Sequence, residues 1–229
     1  MDYRGMEKAI DKQAFRRQRH YIPDAQVVVD VGAWVGQTVN GYRKLYPKAQ
    51  IHAFEPIPKT CHKLAAKFAQ DPGIQVHCAA MSDRDREGTQ TLHINRPGYQ
   101  TSLLETTGEY RATGIQHIED IEVEVITLDL FCERHDIGRI DVLKLDVQGY
   151  ELRVLNGARR LFDQDRVGLV FAELNFQRVY EGQCPWYDVG AWLAGYGFDL
   201  VELAPQWRQN RLDHANGLFF KEALTCESA

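Results

Sequence analysis

The chain has 229 residues, of which 44% are hydrophobic and 26% are charged. This length fits one large domain with a sizeable apolar core, which excludes intrinsically disordered and fibrous proteins. A formal net charge of −5 offers no broad basic surface, so we expect no nucleic-acid partner. No apolar run approaches the roughly 18 residues of a membrane span, and no apolar signal segment opens the chain. We therefore expect a cytoplasmic protein.

Five cysteines are scattered along the chain, at positions Cys61, Cys78, Cys132, Cys184 and Cys226. Their odd number and wide spacing fit neither a disulfide framework nor a pair of zinc ligands. The sequence thus predicts reduced thiols, which agrees with a cytoplasmic location.

The order of apolar and polar segments predicts the fold class. We expect residues 1–24 to form a helical extension, followed by one domain over residues 25–222 and a tail over residues 223–229. Five apolar runs predict strands: Val27–Val31, Gln50–Phe54 and residues 74–79, 141–145 and 167–172. Helical segments lie between them, for example residues 38–46, 60–70 and 151–161. Continuous apolar runs are typical of strands covered on both faces, so the pattern predicts a mostly parallel α/β sheet.

Two other regions depart from this rhythm. Residues 89–95 and 121–129 include alternating apolar and polar positions, which predict a β insertion around residues 89–129 with a loop over residues 96–116. Residues 198–203 and 217–221 predict a closing antiparallel strand pair at the C-terminus.

The first strand enters a turn of small residues and then a helix. Candidate cofactor-binding residues in this segment are Asp30, Gly32, Ala33, Gly36, Gln37 and Thr38. Glycines let a ligand approach the backbone, and a helix N-terminus presents unpaired N–H groups to it. The G-x-x-x-G spacing, however, is an incomplete dinucleotide fingerprint.

Glu55 lies at the tip of the second strand, roughly 20 residues after Gly32. An acidic side chain at that position can accept hydrogen bonds from both hydroxyls of a ribose. The alternative interpretation is a carboxylate that caps the following helix. Together with the glycine turn, Glu55 indicates an adenosyl ligand, either a nicotinamide dinucleotide or S-adenosylmethionine.

Three side chains are candidates for accepting a proton in catalysis. Asp146 follows the fourth parallel strand, Glu173 ends the next one, and His214 lies in a predicted turn before the last strand. Each also has an ordinary interpretation, as a surface histidine or as an acid that orients its neighbours. Asp146, Glu173 and Asn175 would alternatively provide oxygen ligands for Mg²⁺.

Four segments together resemble the FkbM-type methyltransferase family: residues 30–33, 54–56, 126–129 and 143–151. The last is the most specific. The resemblance extends from about Val27 to Lys221 and implies the Rossmann-like class I methyltransferase sandwich with S-adenosylmethionine as cofactor. It implies cofactor contacts from Gly32, Ala33, Gly36 and Glu55, with Ala80 and Met81 lining the adenine pocket. Asp146 is a further candidate cofactor-binding residue, because the end of its strand faces the same cleft. Trp34 departs from the family pattern, which often has a small polar residue there.

The resemblance implies O-methylation of a hydroxyl on a sugar, a glycan or a secondary metabolite. Aromatic and hydroxyl side chains in predicted loops, namely Ser102, Tyr180 and Trp186 together with Tyr187, are the candidate acceptor-binding residues. Two other functions remain alternatives, an NAD(P)-dependent oxidoreductase and a non-catalytic cofactor-binding interaction module. A homo-oligomer is compatible with each.

Overall fold

A computed structural model describes residues 12–84, 88–111, 114–208 and 210–222. Its strands in chain order are β1 (Val27–Val31), β2 (Gln50–Phe54), β3 (Ile74–His77), β4 (Ala80–Met81), β5 (Gly88–Arg96), β6 (Gln116–Ile126), β7 (Ile140–Leu145), β8 (Val167–Asn175), β9 (Asp199–Arg208) and β10 (Arg211–Phe220). Its helices are α1 (Lys12–Tyr21), α2 (Gln37–Leu45), α3 (Pro58–Phe68), α4 (Gly108–Arg111), α5 (Leu128–Arg134), α6 (Glu151–Asn156), α7 (Arg159–Asp163) and α8 (Trp186–Ala194).

The main sheet has seven strands in the order β3-β2-β1-β7-β8-β10-β9. Strands β3, β2, β1, β7 and β8 run parallel, whereas β10 is antiparallel to both of its neighbours. Val31 pairs with Phe54 on one side and Leu145 on the other, so β1, β2 and β7 end at the same edge. The predicted mostly parallel sheet with a C-terminal antiparallel pair is confirmed.

Apolar side chains pack on both faces of this sheet. One face carries a cluster that includes Phe15, Tyr42 and Leu64 from the first three helices. The opposite face carries a cluster that includes Phe131 and Leu155. Because both faces are covered, β1, β7 and β8 are buried over most of their length, which explains their largely apolar sequences.

A second, three-stranded sheet in the order β4-β6-β5 forms the predicted insertion. Strands β5 and β6 are an antiparallel hairpin, and the chain after β5 folds back so that Ser102 pairs with His93. The strand predicted over residues 121–129 is wrong at its end. Thr127 accepts a hydrogen bond from the backbone N–H of Leu130 at 3.1 Å, so the chain begins α5 there.

Three further differences from the prediction concern helices α6 to α8 and the last strand. The helix predicted over residues 151–161 is interrupted between α6 and α7, where a Cβ on Gly157 would lie 2.1 Å from the carbonyl oxygen of Ser82. Trp186 and Tyr187 begin α8 after Pro185 and are not in a loop. His214 lies within β10, because this strand begins well before the predicted position 217.

The prediction of reduced thiols is wrong for one pair of cysteines. Cys61 on α3 and Cys78 just after β3 form a disulfide, with their Cα atoms 5.5 Å apart. The β2–α3–β3 crossover brings together two residues whose sequence separation of 17 gave no such signal. The cytoplasmic location loses this support and stays a prediction.

The two ends of the chain are only partly described. Helix α1 packs on the sheet, with Phe15 against Phe171 at a ring-centroid distance of 6.3 Å. Residues 1–11 and the predicted tail 223–229 lie outside the described residues, so the three domain limits stay predictions.

Within the ranges given above, no helix has the length and hydropathy needed to cross a membrane.

Candidate functional site

A cavity of about 210 Å³ opens at the edge where β1, β2 and β7 end. Ten of the residues predicted for the site line it: Gly32, Ala33, Gln37, Thr38, Glu55, Ala80, Met81, Ser102, Asp146 and His214. Others lie outside its lining, namely Asp30, Gly36, Glu173, Asn175, Tyr180 and Trp186. The structure therefore brings most of the predicted cofactor residues together with two of the three predicted proton acceptors.

The glycine turn, residues 32–36, joins the first strand to α2. Gly32 has a positive φ of 85°, and a Cβ there would lie 2.0 Å from the carbonyl oxygen of Asp146. Gly36 has a φ of 78°, and its Cβ would lie 2.5 Å from a methyl group of Leu64 on α3. Gly32 thus lets the turn approach the end of β7, whereas Gly36 lets α2 pack closely on α3.

Glu55 is 3% exposed, and both of its carboxylate oxygens accept backbone hydrogen bonds. The donors are the N–H groups of Trp34 and Ile57, each at 3.0 Å. Burial raises the pKa of Glu55 to about 7, and these two bonds oppose the shift. Each oxygen retains a second lone pair. Glu55 therefore fixes the glycine turn and can still accept two hydrogen bonds from a ligand in the cavity.

Asp30 lies beneath the glycine turn and is fully buried. It accepts a hydrogen bond from the hydroxyl of Thr38 and forms an ion pair with Lys144 at 3.1 Å. The same ammonium group donates to the carbonyl oxygen of Gly32 at 3.0 Å and lies 3.7 Å from Asp146. Asp30 thus holds the turn in place from below through Lys144.

A polar cluster lies beside the cavity at the end of β7 and β8. The side-chain amide of Gln148 donates to Asp146 and to Glu173, at 2.7 Å in each case. On the other side of Glu173, the ring nitrogen Nε2 of His214 lies 3.8 Å from Oε1. The Nδ1 nitrogen of the same ring lies 3.2 Å from a carboxylate oxygen of Asp213. The three predicted proton acceptors therefore belong to one connected network.

The predicted acceptor-binding residues are not brought into one wall. Ser102 lines the cavity, but its hydroxyl donates to the backbone oxygen of Gln148 at 2.8 Å. Tyr180 is fully buried, and its hydroxyl donates to Oε1 of Gln148 at 3.0 Å. Trp186 and Tyr187 are exposed on α8, where Trp186 packs on Phe176.

Trp34 closes the space between the glycine turn and the insertion. It lines the cavity together with Gly98 and Tyr99, which lie in the short turn after β5. A Cβ on Gly98 would lie 2.5 Å from the indole ring, so the ring packs directly on this glycine. The residue that departs from the family pattern thus forms part of the cavity wall.

A family profile described as the methyltransferase FkbM domain matches residues 30–209. The matched part contains the glycine turn, Glu55 and the cluster around Asp146. The chain belongs to the FkbM methyltransferase family. The function predicted from the sequence, a methyltransferase of this family, is therefore confirmed, and the nicotinamide-dependent alternative gains no support.

Two curated relatives and one solved structure agree with this family. The 2-O-methyltransferase NoeI of Sinorhizobium fredii is 27% identical over 168 residues, 69% of this chain and 67% of that protein. The 31-O-demethyl-FK506 methyltransferase FkbM of Streptomyces tacrolimicus is 30% identical over 197 residues, 76% of this chain and 73% of that protein. Fibrillarin from Aeropyrum pernix, crystallised with S-adenosyl-L-methionine, matches with a TM-score of 0.51 at 13% identity, over 91% of this chain and 74% of that one. The structural match supports the predicted class I methyltransferase fold.

The polar cluster of this FkbM-family domain does not fit a metal ion. The Gln148 amide stands between Asp146 and Glu173, so an N–H donor takes the place that a cation shared by the two carboxylates would need. Among the described residues, no group of three or more His, Cys, Asp and Glu side chains has an arrangement that could hold a metal. The Mg²⁺ alternative is therefore not supported.

Sequence reasoning missed several residues of the FkbM-family site. Gln206 and Asn216 line the cavity beside His214, and Gln206 pairs with His214 across β9 and β10. His214 and Asn216 are two positions apart on one strand, so their side chains share a face. This alternation of polar residues was the available signal. Gln148 and Lys144 lie within the family-like segment 143–151, but no local pattern assigned their contacts.

Proposed function

We propose that this protein is an S-adenosylmethionine-dependent O-methyltransferase that acts on a hydroxyl group of a glycan or a secondary metabolite. The observation that carries the proposal is the position of Glu55, Asp146 and His214 around one cavity at the end of the parallel strands. Glu55 suits the ribose of an adenosyl ligand, and the other two suit an acceptor that must lose a proton. The names of the relatives NoeI and FkbM, both O-methyltransferases, support the same reaction.

The residues present fit the cofactor. Glu55 has carboxylate lone pairs for a ribose diol, and the left-handed turn at Gly32 carries no side chain between the backbone and the cavity. Ala80 and Met81 offer an apolar wall for an adenine ring. Bound S-adenosylmethionine would supply a methyl group on a positively charged sulfur, ready for in-line displacement by an oxygen.

Side chains of this protein must position the acceptor hydroxyl and accept its proton. The acceptor hydroxyl must be held in line with the methyl donor, and such positioning contributes a large share of the acceleration. His214 takes the hydroxyl proton, since it lines the cavity and has Glu173 and Asp213 close to its two ring nitrogens. Those carboxylates stabilise the imidazolium that forms. Gln206 and Asn216 present polar groups to the acceptor beside it.

Calorimetric titration tests the cofactor assignment. S-adenosylmethionine, S-adenosylhomocysteine and NADH are titrated into the wild-type protein, Glu55→Ala and the control Glu122→Ala, whose carboxylate is exposed on β6. We expect binding of the two sulfur ligands, a loss of at least about tenfold in Glu55→Ala from the missing charged hydrogen bonds, and no change in the control. Binding of NADH alone would revive the oxidoreductase, and no binding of any of the three ligands would contradict the cofactor assignment.

Methyl transfer is tested with ¹³C-methyl-labelled S-adenosylmethionine and panels of glycosides and hydroxylated polyketides. A new O-methyl carbon signal identifies an acceptor. With that acceptor, His214→Gln is expected to lower kcat by about 100-fold, the range for loss of a general base. His117→Gln, which removes an exposed histidine from β6, serves as the matched control. Equal activity of both variants would remove His214 from this role.

A further inference from the structure

Gln148 has an unusual backbone conformation, and its side chain is buried in a network of hydrogen bonds. Its φ is 55°, a left-handed conformation that is uncommon outside glycine. The side chain is buried beside the cavity. Its amide nitrogen donates two hydrogen bonds of 2.7 Å, one to Asp146 and one to Glu173.

The other polar atoms of Gln148 are held as well. The fully buried hydroxyl of Tyr180 donates to its side-chain oxygen at 3.0 Å, and the hydroxyl of Ser102 donates to its backbone oxygen at 2.8 Å. Ionised carboxylates only accept hydrogen bonds, so the amide must present its NH₂ end to Asp146 and Glu173. The Tyr180 hydroxyl completes this arrangement by donating to the opposite end.

Two carboxylates that share one donor at 2.7 Å repel each other, and without that donor one of them would take up a proton. Other charges also act on the pair. Lys144 lies 3.7 Å from Asp146, and His214 lies 3.8 Å from Glu173. Glu151 is buried nearby, and burial together with the charge of Glu173 raises its pKa to about 8. Glu151 adds a negative charge whenever it ionises, which makes the amide donor more important.

We propose that Gln148 is a positioning residue for the proposed methyl transfer: its amide cross-links Asp146 and Glu173, so that Glu173 stays ionised opposite His214. Glu173 then stabilises the charged ring that results when His214 accepts the proton of the acceptor hydroxyl. The catalytic part of this inference rests on the proposed function. The electrostatic part concerns this chain's own residues and is measurable without any acceptor.

The first test is a titration of the histidine ring signals by NMR, with His214 assigned from the signal that disappears in His214→Gln. Gln148→Met keeps the length and approximate volume of the side chain but has no N–H donor. We expect the titration midpoint of His214 to lie at lower pH in this variant than in the wild-type protein, because a protonated Glu173 no longer stabilises the charged ring. Tyr180→Phe is expected to shift the midpoint in the same direction by less, since the amide stays but loses its anchor.

Tyr46→Phe is the matched control, because Tyr46 is another buried tyrosine with a bonded hydroxyl, which donates to the backbone oxygen of Ile22 at 2.9 Å. It is expected to leave the His214 midpoint unchanged. A lower melting temperature in Gln148→Met with an unchanged midpoint would mean a merely structural role and would overturn the proposal. Failure of the proposed function appears separately, as absence of S-adenosylmethionine binding in the wild-type protein.

With an acceptor in hand, kinetics add a second readout. Gln148→Met is expected to lower kcat at least tenfold with little change in the KM for S-adenosylmethionine. The acidic limb of the pH–rate profile is expected to move to lower pH. A rise in KM alone, with kcat and the profile unchanged, would contradict a role in positioning the proton acceptor.

Discussion

Gly32 is a position where the addition of a single methyl group is expected to have a large effect on stability. Its φ of 85° is unfavourable for other residues, and a Cβ would lie 2.0 Å from the backbone oxygen of Asp146. We expect Gly32→Ala to destabilise the fold by about 3 kcal/mol or more, because neither backbone segment can move freely. Gly190→Ala is the control, since open space surrounds that helical glycine. It is expected to stabilise α8 by up to about 1 kcal/mol. Urea unfolding of both variants measures the contrast.

Lys144 is a second residue whose substitution is expected to destabilise the fold, because it neutralises a buried carboxylate. Its ammonium group lies 3.1 Å from the fully buried Asp30, so Lys144→Met leaves a buried negative charge without its cationic partner. We expect a loss of about 3–5 kcal/mol. Lys221→Met, which removes an exposed ion pair with Asp165, should cost less than about 1 kcal/mol. Urea unfolding compares them. The double variant Asp30→Asn/Lys144→Met should recover much of the lost stability, and a failure to do so would contradict this explanation.

At the scale of elements, the disulfide joins α3 to the segment that leads into the cavity wall at β4. Cys61 is buried on α3, and Cys78 directly precedes the segment with Ala80 and Met81. Closing a loop of this size stabilises a protein by about 3 kcal/mol, which corresponds to about 6–12 °C in the melting temperature at this chain length. Cys61→Ala/Cys78→Ala is expected to show that decrease by calorimetry.

The redox state itself is checked by alkylation and mass spectrometry under denaturing conditions. The oxidised protein should take up two fewer alkyl groups than the fully reduced protein, and the cysteine double variant should show no such difference. Cys132→Ala, which removes a buried free thiol, is the control and keeps the difference of two. Equal alkylation of the wild-type protein before and after reduction would contradict the disulfide.

Elements were predictable from the sequence where burial alone determines the pattern. Strands β1 and β2 were predicted with their observed limits, because both of their faces are covered and every residue except the first of β2 is buried or half-buried. The start of β10 was not predicted, because His214 and Asn216 face the cavity and such polar residues are also typical of turns. Helix α5 was missed because its seven residues are too few for a periodic pattern and its start depends on the cap at Thr127.

Site residues were likewise predictable where local sequence places them, and not where the fold brings distant segments together. Gly32, Glu55 and Asp146 were predicted because each follows a parallel strand, and such strand ends meet at one edge. The contacts of Gln148 were not predictable, because Glu173 and Tyr180 come from distant parts of the chain and only the folded sheet brings them together. Local sequence identifies residues at strand ends, whereas networks between elements require the fold.

For the whole molecule, two sets of buried groups make stability depend on pH in opposite directions. Burial lowers the pKa of His52 and His77 from 6.5 to about 4. As the pH falls through that interval, the unfolded chain binds protons that the folded chain excludes, so the free energy of unfolding decreases. Burial raises the pKa of Glu55 and Glu151 from 4.5 to about 7 and about 8. As the pH rises through those intervals, the folded chain keeps protons that the unfolded chain has released, so the free energy of unfolding decreases again.

These groups together predict a stability maximum where the two effects oppose each other, between pH 4.5 and 6.5, with a decline toward pH 8. Urea unfolding at a series of pH values measures it. Glu151→Gln should flatten the alkaline decline, because glutamine can still accept the hydrogen bonds that Val147 and Gly149 donate but cannot ionise. Glu133→Gln, at an exposed position on α5, should leave the decline unchanged. If both variants declined as the wild-type protein does, the buried proton on Glu151 would not be the cause.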